Sequence, residues 1–255
     1  MPYPTATDDD VAFFQEHGWI AIPDAIDPAD LVTLEDRCQR ILDRKESLAF
    51  DWAWEKGQEK DERQFKILQS SPTMFWPEIN DEPFRAWAVS FGSALMGLEL
   101  EFWYDQFLAK PPGAVSVPTR WHQDEGYWGR LLDDRGITCW MPFHDVDEAN
   151  GCMHFIDRGH RDGVLHHTNV AEVQSDLLEC APDESRAVAC PLKLGGVTFH
   201  HSKTPHMTPA NTTGSWRRIL TQHLKLTGVE GEGDHYAWKI YVNQVTGERT
   251  VPERR

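Results

Sequence analysis

A chain of 255 residues with 40% hydrophobic side chains and 11 Trp can bury one substantial core, and it is too apolar to be disordered. Its 41 Asp and Glu against 25 Lys and Arg leave a net charge of -16, which repels polyanions and sets aside nucleic acid and anionic membranes as partners. No apolar run approaches the roughly 18 residues of a membrane span. Asp8, Asp9 and Asp10 stand where a signal peptide carries its basic flank, so a cytoplasmic location is expected. The five cysteines, Cys38, Cys139, Cys152, Cys180 and Cys190, are odd in number, scattered and without a CxxC pair, the pattern of reduced structural thiols.

The opening third, residues 8–97, reads as helical. Asp27 followed by Pro28 is a cap residue with proline at the first helical position, and Leu31, Leu34, Cys38, Ile41 and Leu42 recur at helical spacing after it. A second helix follows Asp81 and Pro83, with Phe84, Trp87, Ala88, Phe91, Ala94 and Leu95 on one face and Gly97 as its stop. Between them, residues 44–80 mix Trp52, Trp54, Phe65, Phe75 and Trp76 with charged side chains and show no clean period. That is the pattern of an irregular surface excursion or of a lid over a pocket.

After Gly97 the pattern turns to alternation. Leu98, Leu100, Phe102, Tyr104, Gln106 and Leu108 fall on one face of a strand, and Glu99, Glu101, Trp103 and Asp105 on the other. Further short strands are expected at 119–128, 137–145, 152–156, 188–193, 196–201, 217–226 and 236–243. Helices followed by many short strands predict a mainly β protein with α. The expected fold is a cupin-like jelly roll, or double-stranded β-helix, over about 98–245 with N-terminal helices on one sheet, in a single domain spanning 1–255.

The first chemical signal is the segment Trp121-His122-Gln123-Asp124-Glu125-Gly126-Tyr127-Trp128. On an extended strand residues two apart share a face, so His122 and Asp124 are placed to grip one ion while Glu125 faces away. Two imidazoles and one carboxylate on one face leave positions open on an octahedral iron(II) for dioxygen and a bidentate co-substrate. Of the twelve histidines, the eleven besides His122 compete for the third place. His206, in Thr204-Pro205-His206-Met207-Thr208 with Arg217 and Arg218 following, is preferred, and His200 or His201 would replace it under a shifted register.

Several segments occur in a characteristic order: Phe13-Phe14 to Gly18 with Ile20-Ala21-Ile22-Pro23-Asp24, then Trp121-His122-Gln123-Asp124, then Glu148-Ala149-Asn150-Gly151-Cys152-Met153. Gly195-Gly196-Val197-Thr198-Phe199-His200-His201 and the string Thr204, His206, Asn211, Arg217 complete it. In this ordered set, from about residue 10 to 226, the chain resembles the phytanoyl-CoA dioxygenase family of iron(II)- and 2-oxoglutarate-dependent oxygenases.

The resemblance implies that His122, Asp124 and His206 hold iron and that Arg217, eleven residues after His206, binds the far carboxylate of 2-oxoglutarate. A guanidinium fork suits that carboxylate in charge and geometry, and alternation prefers Arg217 to Arg218 unless a bulge exchanges them. It further suggests Trp140, Thr208, Gln106, Tyr104 and Lys66 as co-substrate contacts, and Phe75, Trp76, Tyr127 and Trp128 are candidates for a substrate wall. Relatives that halogenate carry a small residue in place of the acid, so Asp124 implies hydroxylation of a small organic molecule, with 2-oxoglutarate and O2 consumed and succinate and CO2 released. A non-catalytic jelly-roll binding or sensing protein and a zinc hydrolase using the same ligands are the competing readings. The identity of the small molecule is not written in these motifs.

Overall fold

The computed structural model describes residues 3–43, 50–55, 65–113, 116–128, 135–171, 173–174 and 177–229, with side chains left undescribed at 41–43, 50–55, 65, 66, 68, 74, 75, 173 and 174. The strand expected at 236–243 lies outside the described residues.

Helix α1 (Asp8–His17) opens on a capping box between Thr7 and Asp10 and closes at Gly18, whose φ of 77° ends the helix in left-handed backbone. Strand β1 (Trp19–Ile22) follows directly. Helix α2 (Pro28–Asp43) begins at the expected proline, the Asp27 carboxylate accepts from the Ala29 amide, and Leu31, Leu34 and Cys38 are buried. The segment read as irregular instead adds strands β2 (Phe50–Glu55) and β3 (Phe65–Ser70), paired antiparallel with bulges in the register. Bulges of this kind break the periodicity by which a strand is recognised in sequence.

A short helix α3 (Pro72–Phe75) and a 3-10 turn lead into α4 (Pro83–Met96). Its buried face holds Phe84, Trp87, Ala88, Phe91 and Leu95 as expected, but Ala94 is exposed, and Arg85 and Gly92 take buried places instead. A Cβ on Gly92 would lie 2.8 Å from the Leu224 side chain, so the absence of a side chain there lets α4 settle onto the sheet.

The β core then runs through β4 (Leu100–Lys110), β5 (Thr119–His122), the short helix α5 (Asp124–Trp128), β6 (Ile137–Pro142) and β7 (Met153–Ile156). Two-residue strands β8 (Thr168–Asn169), β9 (Val173–Gln174) and β10 (Leu178–Glu179) precede β11 (Ala187–Cys190), β12 (Val197–His201), β13 (His206–Thr208) and β14 (Arg217–Leu226). Eight strands form a major sheet in the order β1-β12-β6-β14-β4-β3-β2-β9, and four form a minor sheet in the order β11-β7-β13-β5. With β10 and β8 making a small separate ribbon, this is the double-stranded β-helix, the helices lying against the outer face of the major sheet.

Two cores follow from that layering. Phe91 of α4 stacks on Phe199 of β12, and with Trp87, Leu95, Phe107, Met141, Leu220 and Leu224 they fill the space between helices and major sheet. Trp140, Cys152, Met153, Phe155, Cys190 and Ile219 form a smaller core between the two sheets. The cysteines are free thiols, and no described helix is long and apolar enough to cross a membrane.

Two further sequence expectations need correction. The strand expected at 119–128 stops at His122, and Asp124 opens α5, in which the Gly126 amide donates to Gln123 and the Glu125 amide to Ser202. On β4, the pairing with β14 shifts between His223 and Leu224, so Trp103 is an extra residue and the strand reverses its faces there. Leu100 and Phe102 therefore pack on the helix side, whereas Gln106 and Leu108 border the inter-sheet cavity. Beyond the bulge the helix side is taken by Phe107 and Ala109.

Candidate active site

The inner face of the major sheet is built of cross-strand rungs. One rung runs His200 on β12, Thr138 on β6, His223 on β14 and Tyr104 on β4; the next runs Thr198, Trp140, Thr221 and Gln106. Arg217, at the start of β14, lies opposite Lys110 at the end of β4. Alternation along β14 thus puts Arg217, Thr221 and His223 on one inward row, and residues of these rungs line a cavity between the sheets.

At one end of the cavity, the minor sheet sets His122 of β5 directly opposite His206 of β13, with ring centroids 4.2 Å apart. Each imidazole is anchored through Nδ1 to the carbonyl two residues before it, His122 to Arg120 at 2.7 Å and His206 to Thr204 at 2.9 Å. A carbonyl can only accept, so Nδ1 carries the proton in both and Nε2 keeps a free lone pair. Burial pushes both imidazoles below their usual pKa, and for His206 the neighbouring His200 and His122 add to it, which favours that neutral form.

Asp124 reaches the same point from the first residue of α5. Its Oδ1 lies 3.6 Å from His206 Nε2, and its Oδ2 accepts from Thr138 Oγ1 at 2.5 Å. Burial alone would raise this carboxyl, but the His206, His200 and His223 rings around it hold it well below the usual carboxylate range. Among the described residues, the ligand atoms of His122, Asp124 and His206 come within 4.8 Å of one another, all three side chains buried. Two lone-pair nitrogens and a carboxylate on one side are a donor set that fits iron(II) with open positions left.

The other end of the cavity is cationic. Lys110 is wholly buried, and its Nζ donates to the Thr208 carbonyl, the Thr208 hydroxyl and the Pro209 carbonyl at 2.7 to 3.0 Å. Because Thr208 Oγ1 accepts there, its own proton is left to donate elsewhere. Arg217 is 2% exposed, and its Nε and Nη1 have no hydrogen-bond partner. Burial without a counter-ion pushes its pKa down to about 9. A buried fork with unused donors fits a carboxylate. Arg218, by contrast, points to the helix side and pairs with Glu35 of α2 at 2.9 Å.

The cavity gathers His122, Asp124, His206, Arg217, Trp140, Thr208 and Gln106 from the residues singled out in sequence. Tyr104 stands behind His223, stacked on it at 4.2 Å, and Trp128 donates to the Tyr104 hydroxyl at 2.7 Å. Tyr127 packs edge-on to His122 and accepts from the Leu178 amide, so Tyr127 and Trp128 back the site and do not line it. Trp76 is not at the cavity: it packs with the helix-side core under Arg37, whose guanidinium lies 4.3 Å from its ring. The stretch carrying it is tied to that side through the Asp105 carboxylate, which accepts from Ser71 and Thr73. The side chains of Lys66 and Phe75 lie outside the described residues.

Of the alternative ligands, His200 enters the cavity with Nε2 3.2 Å from Asp124 Oδ2, the oxygen turned away from His206. His201 is spent on the chain, accepting from the Lys203 amide. Sequence reading missed Lys110, Thr138, His223 and Thr221. The available signal was alternation: Thr138 stands two residues from Trp140, and Thr221 and His223 continue the row begun by Arg217.

Known proteins are similar to this chain in fold and in sequence. The crystal structure of EvdO2 from Micromonospora carbonacea var. aurantiaca complexed with 2-oxoglutarate superimposes with a TM-score of 0.69 at 27% identity, covering 89% of this chain and 93% of that one. The phytanoyl-CoA dioxygenase domain-containing protein 1 of Danio rerio is 26% identical over 46% of this chain and 42% of its own length. A probable alpha-ketoglutarate-dependent hypophosphite dioxygenase of Stutzerimonas stutzeri is 31% identical over 44% of this chain and 40% of its own. The chain therefore spans about two fifths of the length of these two curated relatives. The family profile described as Phytanoyl-CoA dioxygenase (PhyH) matches residues 14–219, a stretch that holds every cavity residue up to Arg217, and the chain belongs to that family.

Proposed function

We propose that the protein is an iron(II)- and 2-oxoglutarate-dependent oxygenase that uses O2 to hydroxylate an unactivated C–H bond of a small organic molecule, releasing succinate and CO2. One observation carries this reading: a single cavity joins the His122, Asp124, His206 face to the unpartnered guanidinium of Arg217. In it His122, Asp124 and His206 would hold the metal, and Arg217 with the free proton of Thr208 would take the far carboxylate of 2-oxoglutarate. Bound together, iron(II), 2-oxoglutarate and O2 supply an oxidant strong enough for an unactivated C–H bond.

The chain's own residues bind, orient and shield. Carbonyls of Arg120 and Thr204 fix the two ligand tautomers, and Trp140 and Met153 wall the space between the two ends of the cavity. The buried position of both ends keeps bulk water from the reacting atoms. The acid at 124, where a halogenating relative would need room, supports hydroxylation. A cytoplasmic setting without nucleic-acid or membrane partners accords with the charge of -16.

A zinc hydrolase could use the same three ligands, but it has no use for a buried, unpaired fork shaped for a second carboxylate. Anaerobic titration of the metal-free protein with iron(II) and then 2-oxoglutarate tests the reading. A visible charge-transfer band and, in air with a screened substrate, succinate release are expected. No band in the wild type, or hydrolysis sustained by zinc alone, would remove it.

A further inference from the structure

The rung His200, Thr138, His223, Tyr104 crosses four neighbouring strands directly against Asp124, and no role in holding co-substrate accounts for it. Its contacts are ordered. Thr138 Oγ1 is 2.5 Å from Asp124 Oδ2 and 2.9 Å from His223 Nδ1. A hydroxyl has one proton, and a carboxylate can only accept, so Thr138 gives its proton to Asp124 and must receive one from His223. Hence His223 carries its proton on Nδ1, and its Nε2 faces the Thr221 hydroxyl at 3.2 Å and Gln106 Oε1 at 3.1 Å. With Nε2 an acceptor, the Thr221 hydroxyl is its donor, and Gln106 supplies a second one only with the oxygen and nitrogen of its amide exchanged, since it is Oε1 that faces the ring here.

The ring of His223 is itself immobilised. Tyr104 stacks on one side at 4.2 Å with planes 22° apart, and Trp128 meets it edge-on at 5.5 Å. Thr221, His223, Thr138 and Asp124 are all buried, so the chain of donors from Thr221 through His223 and Thr138 to Asp124 is held by packing as well as by hydrogen bonds. Its end point is one oxygen. Oδ2 is fixed by Thr138, with His200 Nε2 3.2 Å away, and Oδ1 is left turned toward His206 Nε2.

We propose that Thr138 and His223 form a positioning pair that locks the Asp124 carboxylate to bind the metal through Oδ1 alone. Without that lock the carboxylate can rotate, and chelation through both oxygens would take up a position that a bidentate co-substrate needs. The inference rests on the oxygenase reading of the site. Tethers of this kind behind a ligand are worth about 10- to 100-fold in metal affinity.

The test measures the iron(II) dissociation constant anaerobically, without 2-oxoglutarate, and then the wavelength of the visible band after 2-oxoglutarate is added. Thr138→Val, which keeps shape and removes the proton, is expected to weaken iron(II) by about 10- to 100-fold and to move the band. Thr138→Ser restores both. His223→Leu weakens iron(II) in the same direction by less, and because His223 acts only through Thr138, the double variant Thr138→Val/His223→Leu is no worse than Thr138→Val alone.

Iron(II) affinity in Thr138→Val within about twofold of wild type, or a fully additive double variant, would overturn the positioning pair while leaving the oxygenase reading intact. Should Thr138→Val not fold, Thr138→Ser against His223→Leu carries the same comparison: equal losses in the two would also overturn it. A wild type that binds no iron(II) would remove the reading and the inference together.

Discussion

The two ends of the cavity are finished to different degrees. At the metal end the three proposed ligands are already held: His122 and His206 by backbone carbonyls, Asp124 by Thr138, and Thr138 by His223. At the cationic end Lys110 donates to its three acceptors, whereas Arg217 leaves Nε and Nη1 unused. The difference fits the two proposed tasks. A ligand set needs its geometry before the ion arrives, so the fold fixes it; a carboxylate brings its own acceptors, so the fold leaves them out. The cost of a buried, unpaired guanidinium is carried by the rest of the molecule until that partner binds.

The comparison can be broken most forcefully at Asp124. Asp124→Ala is expected to abolish iron(II) binding and succinate release coupled to substrate; a variant retaining full coupled turnover would show that the ligand set is wrong. Next comes Arg217→Met. The co-substrate loses a charge-assisted partner, expected to cost about 2–5 kcal/mol or roughly 30- to 5,000-fold in 2-oxoglutarate affinity. Iron(II) affinity should stay close to wild type, and calorimetric titration of each ligand in turn separates the two.

The ligand-free Arg217→Met protein should also melt higher, since removing an uncompensated buried charge in favour of apolar volume is worth about 1–4 kcal/mol. For Lys110→Met the sign reverses: three buried acceptors at Thr208 and Pro209 lose their donor, at about 1–3 kcal/mol each, and the melting temperature falls. Equal shifts in the two variants would erase the distinction between a satisfied and an unsatisfied cation.

A pH series sharpens the metal end. Burial pushes His223 down to about 4 from an ordinary value near 6.5, with His122 and His206 also lowered. Between those limits the unfolded chain holds a proton that the folded one refuses, so stability rises with pH there. It is lost as pH falls from about 6.5 toward 4, with His223 alone accounting for up to about 3 kcal/mol. Melting of the metal-free protein at pH 7, 6 and 5 should show this, and His223→Asn should flatten the slope without removing it. The smallest effect is expected at Trp128, which backs the rung through Tyr104: Trp128→Ala should disturb coupling of succinate release to product more than 2-oxoglutarate affinity, and equal loss of both would make it ordinary core.

Helix α2, the bounds of α4 and β14, and the preference for Arg217 over Arg218 were all legible, because each depends on a local period or a cap. Asp124 was placed with His122 for a reason that does not hold: the two do not alternate along a strand, since β5 ends and α5 begins between them. The pair converges because that turn carries Asp124 across to the major sheet, where Thr138 takes it. Trp76 was misplaced because its aromatic character says nothing about which side of β4 its segment is tied to, and Asp105 decides that side.

By itself the sequence determined which residues share a face of α2 and of β14 and in what order the segments bearing His122, Asp124 and His206 come, since periodicity and caps are properties of neighbours along the chain. Tertiary structure decided register. Pairing of β12, β6, β14 and β4 set His200, Thr138, His223 and Tyr104 in one row, a bulge at Trp103 turned β4 over, and sheet closure brought His206 opposite His122. Those choices are made by contacts between strands far apart in the chain, so no local pattern contains them.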